Sequence, residues 1–162
     1  MTGQGQRFGI AAGLALASLA VLADFQSGLD AFNDRDYGQA RDRWQECAIA
    51  GDPACQYGVG VIHDDGLGVE ADTFEALRWY EQAARNAHPD ALMQLGFLYA
   101  TGRGGIIQDP VQAWAYFARA ATMGIAGAAE GRDRIARELS LEERARAARL
   151  ADEASIRYHL QK

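Results

Sequence analysis

The chain has 162 residues, a formal net charge of −6 and 49% hydrophobic residues, enough for one domain or a short solenoid. That apolar content excludes a disordered tail. The acidic balance argues against nucleic acid, because gripping phosphates requires clustered Lys and Arg.

Arg7 precedes an uninterrupted apolar and small run from Phe8 to Ala23, 16 residues long, short of the roughly 20 that a spanning helix needs. Val21, Leu22 and Ala23 fit a small-residue cleavage site before Asp24. The pattern predicts a secretory signal peptide over residues 1–23; an uncleaved membrane anchor is the alternative. No cysteine stands near the cleavage point, which disfavours a lipoprotein anchor. Removing Arg7 takes the net charge from −6 to −7. No other segment could span a bilayer, so no membrane span is expected after cleavage. Export implies an oxidising compartment, periplasmic or secreted.

From Asp36 the text repeats. Residues 36–68, 72–104 and 109 onward carry the same pattern at a period of 36–37 residues, the mark of stacked supersecondary units. Each unit opens on an N-cap aspartate, Asp36, Asp72 or Asp109, with Gln39, Glu75 or Gln112 three residues later, a capping-box spacing. Pro110 stands at a first helical position, where its missing N–H costs nothing. The first helix then carries a ring between two alanines at i, i+4 and i+8: Ala40-Trp44-Ala48, Ala76-Tyr80-Ala84 and Ala113-Phe117-Ala121. Such a face lets a neighbouring helix approach closely. The helices end near Gly51, Ala87 and Gly124.

A second helix starts at Asp52-Pro53 or His88-Pro89, with Cys55, Val59 and Ile62, or Ala91, Leu95 and Leu98, as its inward stripe. Gly60 and Gly96 share one register, where a side chain would obstruct close packing. Gly66-x-Gly68 and Gly102-x-Gly104 suit turns with positive φ. Residues 25–33 read as the second helix of an incomplete unit, and residues 126–138 continue the third copy without its glycines. Ser140 and Glu143 form a further capping box. It opens a charged last helix to about Tyr158, a polar cover for an open solenoid end. The expected fold is all-α: eight helices in four hairpins, with no strands.

Ala91 to Tyr99 (ALMQLGFLY), Gly102-x-Gly104 and Ala76 to Ala84 (ALRWYEQAA) together resemble the Sel-one-like repeat family, relatives of the tetratricopeptide repeats. The resemblance covers about residues 25–130. It implies a right-handed α/α superhelical solenoid over residues 24–139, capped by residues 140–162, whose concave face serves as an adaptor for proteins or peptides.

Cys47 and Cys55 are the only cysteines, eight residues apart. Cys47 falls in the last turn of one helix and Cys55 early in the next, on facing sides of a hairpin. In an exported protein a disulfide is the expected product, worth roughly 2–3 kcal/mol on the chain-entropy model. Metal binding is the alternative, with only His63 nearby as a further ligand. A redox-active pair normally has the Cys-x-x-Cys spacing, which is absent. The spacing also resembles the cysteine-rich exported branch of the family.

Candidate chemistry is sparse. Gly58-Val59-Gly60 lacks the strand and third glycine of a dinucleotide fingerprint. His63-Asp64-Asp65 offers a metal or general-base reading, against a solvated helix end. Beyond the leader only Ser27, Ser140 and Ser155 remain, none in a serine-nucleophile motif. No catalytic residue, cofactor or metal is expected. With Cys55, Val59 and Ile62 turned inward, Tyr57, Val61 and Asp64 face the other way, matched by Met93, Phe97 and Ala100. Tyr57, Val61, Asp64, Met93 and Phe97 are thus a candidate partner-binding groove with an acidic edge; packing between repeats is the alternative. The expected function is an exported, monomeric, non-enzymatic adaptor for a protein or peptide. A hydrolase acting on cell wall or β-lactams, and a self-assembling periplasmic subunit, are the rivals.

Overall fold

The computed structural model describes residues 22–160, with side-chain placement as far as Glu153. The signal-peptide reading of residues 1–23 lies, but for its last two residues, outside the described residues. Eight α-helices run in order: α1 (22–33), α2 (Tyr37–Ile49), α3 (Pro53–Asp65), α4 (Thr73–Arg85), α5 (Pro89–Thr101), α6 (Pro110–Thr122), α7 (Ala128–Ala136) and α8 (Leu141–Leu160). A short 3₁₀ turn, Arg103–Gly105, follows α5. No described residue is in a strand. The protein is an all-α solenoid of helix-turn-helix units, as the period implied.

Local chemistry sets the helix starts. Asp36, Asp72 and Asp109 each accept a backbone N–H of the first turn on the side chain, at 2.9–3.1 Å. The reciprocal half of the expected capping boxes differs. The N–H groups of Asp36, Asp72 and Asp109 donate instead to the carbonyls of Ala31, His63 and Tyr99, at 2.8–2.9 Å. Each cap is therefore bonded to the preceding helix, and Gln39, Glu75 and Gln112 are not needed there. Only Ser140 and Glu143 exchange both bonds, at 2.8 and 3.2 Å. Gly51, Ala87 and Gly124 all have positive φ, at +98°, +56° and +77°.

Packing follows the aromatic period. Trp44, Tyr80 and Phe117 are all buried, and each lies flat on glycine backbone. A β-carbon on Gly60 would stand 2.6 Å from the Tyr80 ring, and one on Gly58 2.6 Å from Trp44. The third unit does keep a glycine: Gly131 of α7 faces Phe117 just as Gly58 faces Trp44, 14 residues after the ring in both cases. The drifted spelling after Gly124 concealed it. At the first end, Phe25 and Phe32 of α1 pack on Trp44, with ring centroids 6.4 and 5.3 Å away. The indole N–H donates to the Phe25 carbonyl at 3.1 Å.

The core is consequently a row of three apolar clusters, centred on Trp44, on Tyr80 and on Phe117. Helix α3 packs on α4 and α5 on α6 as closely as partners within a hairpin, and α8 lies against α6. No unit seals its own apolar face; the next unit covers it.

Candidate functional site

The candidate groove is built on α3 and α5, at the seam where each meets the next unit. Tyr57, Val61 and Met93 are half-buried and pack on the Tyr80 cluster. The Tyr57 ring centroid lies 5.7 Å from that of Tyr80 and 4.7 Å from the stacked His88 imidazole. Phe97 is 40% exposed and meets the buried Phe117 edge to face, ring centroids 5.2 Å apart. Four of the five predicted residues therefore hold successive units together while keeping part of their surface open, and Ala100 is likewise half-buried.

Asp64 differs from expectation. It is not an acidic edge: the residue is 8% exposed. Its Oδ2 accepts the Tyr80 hydroxyl at 3.3 Å and pairs with the guanidinium of Arg103, 39 residues on. Its Oδ1 is buried with no hydrogen-bond partner. The Tyr80 pKa is pushed up by burial first and by Asp64 next, so the phenol remains a donor to the carboxylate. The physical reason is that a solenoid helix has two covered faces. One meets its hairpin partner and the other meets the following unit, so the side opposite Cys55, Val59 and Ile62 is not automatically solvent.

His63 is not part of a metal-binding group among the described residues. Burial lowers its pKa, its carbonyl takes the Asp72 N–H, and no group of His, Cys, Asp and Glu among the described residues could hold a metal ion. Cys47 and Cys55 are joined in a disulfide across the α2–α3 hairpin, with Cα atoms 5.8 Å apart. His88 serves as N-cap of α5, its Nδ1 accepting the Ala91 N–H at 3.4 Å.

Two polar links had no local signal in the sequence. Gln56, buried, donates to the Ala48 carbonyl at 3.1 Å and accepts from Asn86 at 3.3 Å, tying α3 to the ends of α2 and α4. Arg119, also buried, donates to the Ala84 carbonyl at 3.0 Å. On α4, α5 and α6, Tyr99 and Tyr116 stack with centroids 5.8 Å apart, and the Tyr99 hydroxyl donates to Glu81 at 3.3 Å. Burial raises the pKa of both phenols.

A row of helical hairpins sharing apolar faces, with rings laid on glycine backbone, defines an α/α repeat solenoid. Residues 53–88 and 89–125 match the Sel1 repeat: the chain carries Sel1 repeats. The matched unit starts at α3 rather than α2, so each repeat pairs a glycine helix with the aromatic helix that covers it. Two solved structures share the fold. One is a protective antigen of uropathogenic Escherichia coli displaying an SLR fold, with a TM-score of 0.79, 27% identity, and 85% of this chain and 30% of that chain covered. The other is a Sel1 repeat protein from Oxalobacter formigenes, with a TM-score of 0.57, 29% identity, and 67% of this chain and 45% of that chain covered. This chain thus spans less than half the length of either. No curated protein matches it.

Proposed function

We propose that the protein is an exported adaptor that binds a protein or peptide along the α3–α5 seam, and that it performs no covalent chemistry. Sel1 repeats support a role as a protein-interaction scaffold. The observation that carries the finer reading is that Tyr57, Val61 and Met93, packed on the Tyr80 cluster, and Phe97, packed on Phe117, each remain only partly covered. Rigid aromatic and aliphatic anchors of this kind suit a helical or extended segment, because little side-chain entropy is lost when it docks. The formal charge of −6 favours a basic partner through electrostatic steering.

Export rests on the leader-like residues 1–23 and agrees with the Cys47–Cys55 disulfide; among the described residues no helix is long and apolar enough to cross a membrane. On this reading the working chain is residues 24–162, with repeats over 24–139 and the rest as the terminal cover.

A photocrosslinking amino acid at Val61 or at Phe97, compared with one at the exposed Arg78, tests the binding face in the native compartment. The reading expects the same crosslinked protein from 61 and 97 and not from 78. Crosslinks from 78 alone, or from none of the three, remove the seam as a binding surface. N-terminal sequencing of the recovered chain tests cleavage of the leader: a start near Asp24 supports it, and a start at Met1 overturns it.

A further inference from the structure

A second feature lies away from the seam, between α6 and α8. The two helices pack side by side but leave a cleft of about 130 Å³. Ala118, Ala148 and Ala151 line it, and their methyl side chains are too short to close the gap. The Trp114 indole is one wall, and Arg119 and Asp152 supply the charges.

Arg119 is the unexpected component. It is only 9% exposed, and among the described residues its side chain makes one hydrogen bond, from Nη2 to the Ala84 carbonyl at 3.0 Å. Among the described residues no carboxylate forms an ion pair with it. Among the described residues none of its nitrogens is both sealed and unpaired, and Arg119 is one of the residues that line the cleft. A guanidinium held in apolar surroundings without a counter-ion is costly, and an incoming anion relieves that cost.

We propose that the α6–α8 cleft binds a small apolar carboxylate, with its charge on Arg119 and its apolar body between the Trp114 indole and the alanines. At about 130 Å³ the cleft is slightly smaller than the about 150 Å³ apolar cavity that accommodates benzene, so at most one six-membered ring or one branched side chain enters it. The guanidinium presents parallel donors that match a carboxylate. Asp152 is exposed and opposes an anion weakly from the rim, through solvent. The same chemistry arises from a free organic acid or from the C-terminal residue of a peptide. This site shares no residue with the α3–α5 seam, so either can fail without the other.

Phenylacetate titrated into the full-length protein, followed by the indole N–H resonance of Trp114, is the direct test. A saturable shift is expected, with a Kd of roughly millimolar or tighter, and benzylamine should produce none. Arg119→Gln should weaken binding by about tenfold or more, and Asp152→Asn should tighten it. Because Arg119→Gln also removes the bond to Ala84, Ala148→Leu provides a second arm: it fills the cleft, leaves Arg119 intact, and should abolish the shift. A short peptide ending in phenylalanine, with free or amidated C-terminus, separates the two sources. Tighter binding of the free-acid peptide identifies a chain terminus, and phenylacetate alone identifies a free acid. Absence of a saturable shift with both probes, or equal binding of benzylamine, overturns the proposal.

Discussion

The ring of Phe117 stands 2.7 Å from the point that a β-carbon on Gly96 would occupy. An aromatic side chain rests directly on helix backbone, and the Tyr80–Gly60 pair repeats the contact one unit earlier at 2.6 Å. Alanine at Gly96 or Gly60 should therefore destabilise the fold, although alanine is the better helix former by about 1 kcal/mol. Displacing a buried ring from a filled core costs about 1–3 kcal/mol net. Gly38 provides the opposite sign: it is exposed, and its nearest neighbour would be 3.7 Å away, so Gly38→Ala should be neutral or stabilising. Urea midpoints of the three variants decide this. A Gly96→Ala protein as stable as the parent would contradict the packing.

Ala87 occupies the place that Gly51 and Gly124 hold in the other units, with φ at +56°. The left-handed region costs an L-residue about 1–2 kcal/mol, while glycine gives back about 0.4–1 kcal/mol through the freer unfolded chain. Ala87→Gly should raise stability by about 0.5–1 kcal/mol, seen as a higher Tm. A lower Tm would show that the Ala87 methyl contributes more through packing than it costs in strain.

Among the described residues the Tyr80 hydroxyl is anchored only by Asp64, at 3.3 Å, in a residue that is 1% exposed. Asp64→Ala strands that hydroxyl in the core and should cost about 1–3 kcal/mol. Adding Tyr80→Phe removes the stranded group, so the double variant should lose less than the sum of the singles. Simple additivity in the denaturation cycle would mean that the two side chains are not coupled.

His88 supplies a pH dependence. Burial lowers its pKa, against the opposing pull of Asp90 and Asp52, and its Nδ1 accepts the Ala91 N–H only when deprotonated. The unfolded side chain titrates near 6.5, and the folded one below that. Below about pH 6.5 the unfolded state takes up the proton more readily, so this contribution is complete above about pH 6.5 and is lost as pH drops from there toward the folded value. His63 contributes with the same sign. Unfolding midpoints at pH 8 and pH 5 should differ, and His88→Asn, which retains an N-cap acceptor, should reduce the difference. An unchanged difference in that variant would assign the effect elsewhere.

The Cys47–Cys55 bond closes a loop with sequence separation 8. On the chain-entropy model its removal by Cys47→Ser with Cys55→Ser costs roughly 2–3 kcal/mol. The parent measured in excess reductant should lose a similar amount if the bond is reduced. A double variant with parental stability would show that the bridge constrains the unfolded chain very little.

The amino-acid order alone determined the period, the helix starts and ends and the all-α class. These depend on interactions within about four residues: an aspartate side chain on a first-turn N–H, a glycine or alanine at positive φ, a ring between two alanines. The disulfide was legible for the same reason, since Cys47 and Cys55 sit at adjoining helix ends. Periodicity also showed correctly that Tyr57, Val61 and Asp64 share one side of α3. It carried no information on what covers that side, because the covering residues, Tyr80 and Arg103, lie 16 and 39 positions beyond Asp64. Only stacking of the units decided that Asp64 is buried, that Gly131 takes the role of Gly58, and that Arg119 lines a cleft beside α8. Each of these depends on how far one helix lies from the next, a distance set by side chains of other units and absent from any local pattern.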